Sequence, residues 1–493
     1  MSLLERVHGC TFDDFLLAPR HGRLLRRDPA SVDLSSRLTR RLTLRRPIVS
    51  ANMDTVTRAA MAVVLAEEGG IGVVDRGFRV GDIGPQVTEV LAVKRTQHGV
   101  IGDPHAIGPR ETIASARQAM ARTGVGTLAV VDEARRLVGL VTERDLRFAA
   151  ADACVADRMT ARPALVVHEG PVAPADAERL MLEHKIKKLP LIGADGRLTG
   201  LVTAKDLLKH RQHPFATRDA QGRLMVGAAV GATGDYLERA AEVLRAGADV
   251  IVIDIAHGHS AVMDRAIREI RGRFGDVDLV AGNVATAEGA TFLAERGVDA
   301  VKVGIGPGGG CSTRLTTNFG VPQLEAIVRC RQAVGDAVPV IADGGIRRDG
   351  ALALALLVGG DTAMLGSAFA GTEETPGEIV MRPVVVPESQ RIVQVPFKVF
   401  RGMASLGAMR DRLDLEDAAA SDVQAMGAEG LEFSVPARGS VRGVIRDMLK
   451  HLCSAVSYGG AESLAEMRER LAAAPDDYLI RLSEASRRES FDR

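Results

Sequence analysis

Eight short runs rich in Val, Ile and Ala, each ending in Gly, Asp, Asn, Thr, Val or Ser, constrain this chain more than any other feature. In order they are RPIVSANMDT, GGIGVV, MVGAAVG, ADVIVIDIAHG, DLVAGNV, DAVKVGIG, PVIADGG and DTAMLGS. Between most of them lie stretches such as GDYLERAAEVLRAG and AEGATFLAERG, with apolar residues three and four apart, the helical period. Strand alternating with helix argues for a parallel sheet, since parallel neighbours need a long crossover. A count of eight favours an α/β fold closed into a (β/α)8 barrel over an open doubly wound sheet. Polar residues at the strand exits then share one face, where barrels carry their chemistry.

A second pattern interrupts the first. LVGLVTERDLRF, from Leu137, returns as LTGLVTAKDLLK, from Leu198, 61 positions later. The likeness extends upstream, TLAVVDEARR against KLPLIGADGR, and each copy follows a helical stretch. Each unit reads as helix, strand, turn, strand, helix. The pair forms an insertion, which divides the chain into a first barrel part (1–97), two repeat modules (98–152 and 153–212) and a second barrel part (213–493). In both copies a Thr stands three residues before an Asp, Thr142 with Asp145 and Thr203 with Asp206. That spacing fits a helix cap, and capping alone accounts for it.

Charge and cysteine usage exclude several classes. Lys plus Arg and Asp plus Glu each number 63 in 493 residues, so no polyanionic partner such as nucleic acid is expected. The five cysteines are an odd, widely spaced set, which fits neither a disulfide framework nor a CxxC metal site. The N-terminal MSLLERVHGCTFDDF breaks its apolar run with charges, and no apolar run reaches roughly 18 residues. A cytoplasmic protein without a membrane span is therefore expected.

The chemistry gathers at the strand exits. Asp254 ends VIVID, Asn283 falls in DLVAGN, and Cys311 follows VKVGIG within GIGPGGGCSTRLTTNFGVPQ. A cysteine behind five glycines and a proline has little use as a packing residue; open backbone and free amides suit a thiolate that attacks a bound ligand. Asp343 ends PVIAD before Gly344 and Gly345, and Gly366 with Ser367 ends TAMLGS. Glycine-freed amides, a hydroxyl and a helix start make these two late loops a phosphate site, and the Asp343 carboxylate beside them suits a ribose diol. The remaining cysteines read as packing residues, and His257 and His259 as loop residues without an assigned role.

Nearly the whole chain resembles the IMP dehydrogenase and GMP reductase family. The likeness runs from TFDDFLLAPR at Thr11 through SANMDTVT, DIAHGHS, GIGPGGGCSTR, ADGGI, GSAFAGTEETPGE and FKVFRGMASLGAM to LIRLSEASRRES. It implies that Cys311 adds to purine C2 of a nucleotide while a hydride moves between that carbon and a nicotinamide. For the dehydrogenase direction, IMP to XMP with NAD, Thr313 and Arg412 would activate the hydrolytic water, Arg412 lying on a mobile flap at about 384–440. The resemblance further implies substrate contacts at Met53, Asp343, Gly345, Gly366, Ser367, Met403 and Glu429, and cofactor contacts at Asp254, Asn283, Gly304 and Gly306. It implies a potassium ion (K+) held by carbonyls of Gly306, Gly308 and Cys311 and by Glu489 and Ser490 of a neighbouring subunit in a homotetramer, with stacking into octamers left open. The repeat pair resembles a tandem of CBS modules, in which Thr142, Asp145, Thr203 and Asp206 would meet a regulatory purine nucleotide.

Several positions depart from the family pattern. Leu413 replaces the tyrosine that partners the flap arginine, Gly309 a phosphate-binding serine, Phe400 a tyrosine and Ala404 a glycine. The alternative activity is GMP reductase, converting GMP to IMP and ammonia with NADPH, with Glu374 of GTEE as the carboxylate beside Thr313. A third reading, a CBS-regulated nucleotide sensor with little activity, has the intact Cys311 and Thr313 against it.

Overall fold

The computed structural model describes residues 2–96, 100–102, 104–385, 390–413 and 427–491. The chain divides into two compact units, one of residues 1–95, 215–217 and 224–493, the other of residues 96–214 and 218–223.

All eight sequence-read runs are strands of one closed barrel in the first unit. They are β1 (Ile48–Ser50), β2 (Ile71–Val74), β3 (Val226–Val230), β4 (Val250–Asp254), β5 (Asp278–Val284), β6 (Ala300–Val303), β7 (Val340–Asp343) and β8 (Thr362–Leu365). Every neighbouring pair is parallel, and β8 pairs with β1 to close the ring. Side chains alternate as a strand demands. Val49, Val73, Val250, Val252, Val280, Ala300, Ile341 and Met364 fill the interior, whereas Ile251, Ile253, Leu279, Val301 and Val303 pack outward under the helices. Carrying the inward register two residues further brings Asp254, Lys302, Asp343 and Gly366 to the C-terminal mouth, and Met53 arrives there two residues past Ala51.

The surrounding helices form where the sequence has the 3.6 period and a cap. In the helix Tyr236–Arg245, Tyr236, Arg239, Ala240 and Val243 face inward. Ser260 and Thr286 start the helices Ala261–Phe274 and Ala287–Glu295 by accepting the backbone N–H three residues on. A three-stranded antiparallel sheet of Val380–Val385, Ile392–Arg401 and Glu432–Pro436 follows the barrel, with the helix Leu406–Leu413 between its last two strands. The expected flap falls here, and its residues 386–389 and 414–426 lie outside the described residues.

The second unit holds the two repeats as two four-stranded sheets. They join reciprocally: the Leu137 N–H donates to the Gly196 carbonyl at 3.1 Å and the Leu198 N–H to the Arg135 carbonyl at 3.0 Å, two bonds that the 61-residue offset of the repeat turns into one another. Leu137, Leu140, Ile192 and Leu198 share a core at that seam. Thr142 Oγ1 donates to Asp145 Oδ2 at 2.7 Å and Thr203 Oγ1 to Asp206 Oδ2 at 2.6 Å, and both pairs begin a helix, as the spacing predicts. Among the described residues, no helix is long and apolar enough to cross a membrane.

Candidate active site

A cavity of about 390 Å³ opens at the C-terminal mouth of the barrel. Met53, Asp254, Asn283, Gly304, Gly306, Gly308, Cys311, Thr313, Asp343, Gly345, Gly366, Ser367, Met403, Arg412 and Glu429 all line it. Glu374, Glu489 and Ser490, also assigned to the site from the sequence, do not.

Backbone-to-backbone packing builds the cysteine loop. Gly304 has φ +151°, and a Cβ there would meet the Asp343 carbonyl at 2.0 Å, so only glycine lets β6 leave the barrel against the end of β7. The segment after residue 426 then lies across the loop: the Ser312 N–H donates to the Glu429 carbonyl at 2.8 Å and the Leu431 N–H to the Gly310 carbonyl at 2.9 Å. These bonds fix Glu429 beside Thr313. The Cys311 thiol donates to Thr313 Oγ1 at 3.3 Å, and Thr313 Oγ1 donates to Glu429 Oε2 at 2.6 Å. Thiol, hydroxyl and carboxylate thus form one proton path.

A charged cluster floors the cavity. Lys302, a residue the motif reading passed over, is 2% exposed. Its ammonium donates to Asp254 Oδ1 at 2.9 Å, to Asp343 Oδ2 at 2.7 Å and to Asn283 Oδ1. Burial works against the charge, yet the two carboxylates hold the ammonium above the usual lysine range. Burial likewise opposes ionisation of Asp254, and Lys302 with Arg76 outweighs it, so its pKa is lowered. Arg412 lines the cavity half-buried; burial first and Arg76 second lower its pKa, with Asp254 opposing. Its backbone is tied down as well, its carbonyl accepting the Val80 N–H at 3.0 Å.

A path from thiol to carboxylate, an inward-facing acid and two glycine-rich loops gather in one barrel mouth, and the sequence around them has known counterparts. A model of the IMP dehydrogenase / GMP reductase domain matches residues 9–492. The chain belongs to this family. Family members named inosine-5'-monophosphate dehydrogenase are 42% identical over 466 residues in Aquifex aeolicus (strain VF5), covering 94% of this chain and 92% of that one. The one from Mycobacterium tuberculosis (strain ATCC 25618 / H37Rv) is 42% identical over 477 residues, covering 94% and 86%. Among solved structures, a cysteine-to-alanine variant of GMP reductase from Trypanosoma brucei, in complex with guanosine 5'-monophosphate, is similar with a TM-score of 0.83 and 37% identity over 98% of this chain and 97% of that one.

Three of the four positions read from the sequence as departures from the family pattern fall in the same cavity. Gly309, Phe400 and Ala404 line it, and the buried Phe400 ring packs on Phe433 at 5.3 Å. Glu374 stands elsewhere: its carboxylate accepts the Val441 N–H at 2.8 Å and the Ser440 hydroxyl, capping the helix Val441–Tyr458. The geometry gives Thr313 a different carboxylate, Glu429. Ser490 sits on the tail helix Glu484–Phe491 and donates to the Ser486 carbonyl at 2.7 Å. His259 stacks on Phe292 at 4.7 Å, outside the cavity lining.

Proposed function

We propose that this chain oxidises IMP to XMP with NAD. The supporting observation is the path from Cys311 through Thr313 to Glu429 in a cavity that Arg412 also lines, together with the 40–42% identity to IMP dehydrogenases.

Cys311 loses its proton toward Thr313 and Glu429 as its sulfur bonds to purine C2. Asp343 receives the ribose hydroxyls, and the loops at Gly345 and Gly366 with Ser367 receive the phosphate, leaving C2 over the sulfur. Asp254, Asn283, Gly304 and Gly306 would hold the cofactor; they fit it, since carboxylate and amide stand beside open glycine backbone in the same cavity. A nicotinamide held there would supply the acceptor for the hydride lost from C2. Water then attacks C2 of the thioimidate on Cys311, the C–S bond breaks, XMP departs and the thiol regains a proton. Thr313 and Arg412 take the proton of that water; burial and the neighbouring Arg76 make Arg412 a better base than a solvated guanidinium, which stays charged at neutral pH.

The carbonyls of Gly306, Gly308 and Cys311 are hard oxygen donors on one loop and fit an ion such as K+, with Glu489 and Ser490 of a second copy completing the set in a homotetramer. The inserted unit, whose two-fold repeat supports a CBS pair, would take a regulatory purine nucleotide near Thr142, Asp145, Thr203 and Asp206. Five free cysteines fit a reducing, cytoplasmic setting.

A second reading, NADPH-dependent reduction of GMP to IMP and ammonia, is favoured by the likeness to a GMP reductase along 98% of the chain and by Leu413, which leaves Arg412 without the phenol partner. Absorbance at 340 nm separates the two. A rise with IMP plus NAD, with XMP formed, supports the dehydrogenase; a fall only with GMP plus NADPH, with ammonia released, replaces it by the reductase.

A further inference from the structure

We propose that Lys302 is a positioning residue that couples the nucleotide and cofactor subsites. The inference rests on the reading of Asp343 as the nucleotide's ribose acceptor and Asp254 as a cofactor contact.

Lys302 lies two residues past Ala300, whose side chain fills the barrel, so β6 aims it up the barrel axis. An ammonium has three N–H donors, and all three are engaged, on Asp254, Asp343 and Asn283. These residues end β4, β7 and β5, three different strands. Asn283 closes the cluster by donating from Nδ2 to Asp343 Oδ2 at 2.9 Å and to the Gly304 carbonyl at 2.7 Å. The bonds from Lys302 reach one oxygen of each carboxylate, Oδ1 of Asp254 and Oδ2 of Asp343. One buried cation therefore orients both acids and offsets the cost of keeping two carboxylates ionised in a half-enclosed mouth. A lysine used only for stability could pair with either acid alone; this one spans the floor beneath both ligands.

Removing the ammonium leaves Asp254 facing Arg76 and Arg412, and leaves the Asp343 carboxylate, among the described residues, with the Asn283 amide as its side-chain partner. Each acid then loses the bond that sets its orientation, so nucleotide and cofactor binding should weaken together.

The test uses the full-length chain and the variants Lys302→Met and Lys302→Arg, each checked by circular dichroism and thermal unfolding. Equilibrium titration with IMP and GMP, and steady-state KM for nucleotide and for cofactor, are measured from pH 6 to 9. The expected result for Lys302→Met is a rise of about tenfold or more in both KM values, with the rise partly reversed in Lys302→Arg. Unchanged nucleotide and cofactor KM in a folded Lys302→Met, or a loss confined to kcat, overturns the proposal. If Lys302→Met does not fold, Lys302→Arg decides: a shift in both KM values supports the coupling and unaltered values overturn it. An unaltered chain that binds neither IMP nor GMP overturns the reading of the cavity itself, an outcome distinct from one in which it binds a nucleotide and Lys302→Met binds it equally well.

Discussion

Thr313 Oγ1 and Glu429 Oε2 lie 2.6 Å apart although 116 residues separate them in the chain. With the Cys311 thiol 3.3 Å behind Thr313, the carboxylate ends a path that, in the proposed reaction, takes a proton from the nucleophile and from the water that follows it. Glu429→Gln keeps the shape and removes the base. It is expected to lower kcat by on the order of 10²-fold with little change in nucleotide KM, and intact-mass spectrometry during turnover should show a larger fraction of chain carrying a nucleotide on Cys311. An unchanged kcat would assign the proton to Arg412 alone.

Gly309 and Ser367 face each other across the two loops proposed to hold the phosphate. A Cβ built at Gly309 would stand 3.4 Å from Ser367 Cβ and 3.6 Å from its Oγ, ordinary contact distances, so Gly309→Ser should be accepted without displacement. The added hydroxyl can donate to a phosphate, and a hydrogen bond to a charged group is worth about 1.5–3 kcal/mol. The dissociation constant for IMP is therefore expected to fall roughly tenfold, that for inosine, which has no phosphate, to stay unchanged. Isothermal titration of the two ligands reads the difference. A like fall for both would place the new hydroxyl on the nucleoside.

The barrel was legible because its eight strands repeat one apolar pattern, and the site because polar residues interrupt that pattern at the strand ends. Asp254 follows Val252, and Asp343 follows Ile341, by two positions, and both inward neighbours belong to the barrel interior. The same rule marks Lys302 after Ala300, and a charged residue inside the run DAVKVGIG was the available signal. Glu429 had no such mark. It lies in a weakly patterned stretch, and only tertiary hydrogen bonds from Ser312 and Leu431 return that stretch to the cysteine loop. Glu374 shows the converse, since the GTEE motif drew it toward catalysis while its carboxylate accepts an N–H 67 residues away at a helix start.

Asp75, just past β2, is fully buried, and its pKa is pushed up to about 6 by that burial, with Arg58 lowering it and Asp54 raising it. In the unfolded chain it titrates near its ordinary value of about 3.9. The folded state binds this proton more tightly, so the stability it carries is complete below about pH 4 and is lost as pH rises through about 6. The loss is on the order of 3 kcal/mol. Asp75→Asn, which can still accept the Gly77 N–H now bonded to Oδ1 at 2.6 Å, removes the titration. Its melting temperature relative to the unaltered chain should climb between pH 5 and pH 7.5; a constant difference across that range would mean that Asp75 does not titrate there.

Arg401 joins a buried acid to an exposed one, and the two halves of that bridge differ in weight. Arg401 Nε and Nη2 donate to Asp54 Oδ2 at 2.9 and 2.6 Å, where Asp54 is 3% exposed, and Nη2 also donates to Asp411, which is 58% exposed. Asp411 precedes Arg412 on the helix Leu406–Leu413, so this bridge and the Val80 bond to the Arg412 carbonyl together hold that arginine at the cavity. Arg401→Ala strands the Asp54 charge and is expected to cost about 3–5 kcal/mol, whereas Asp411→Asn, at the screened end, should cost no more than about 1 kcal/mol. Denaturant unfolding measures both. If Arg412 activates water, Asp411→Asn should still slow the hydrolytic half of turnover while leaving hydride transfer in a single-turnover burst intact, because the helix stays folded but loses one of the contacts that hold Arg412 at the cavity. A variant with both phases unchanged would assign the placement of Arg412 to the Val80 bond alone.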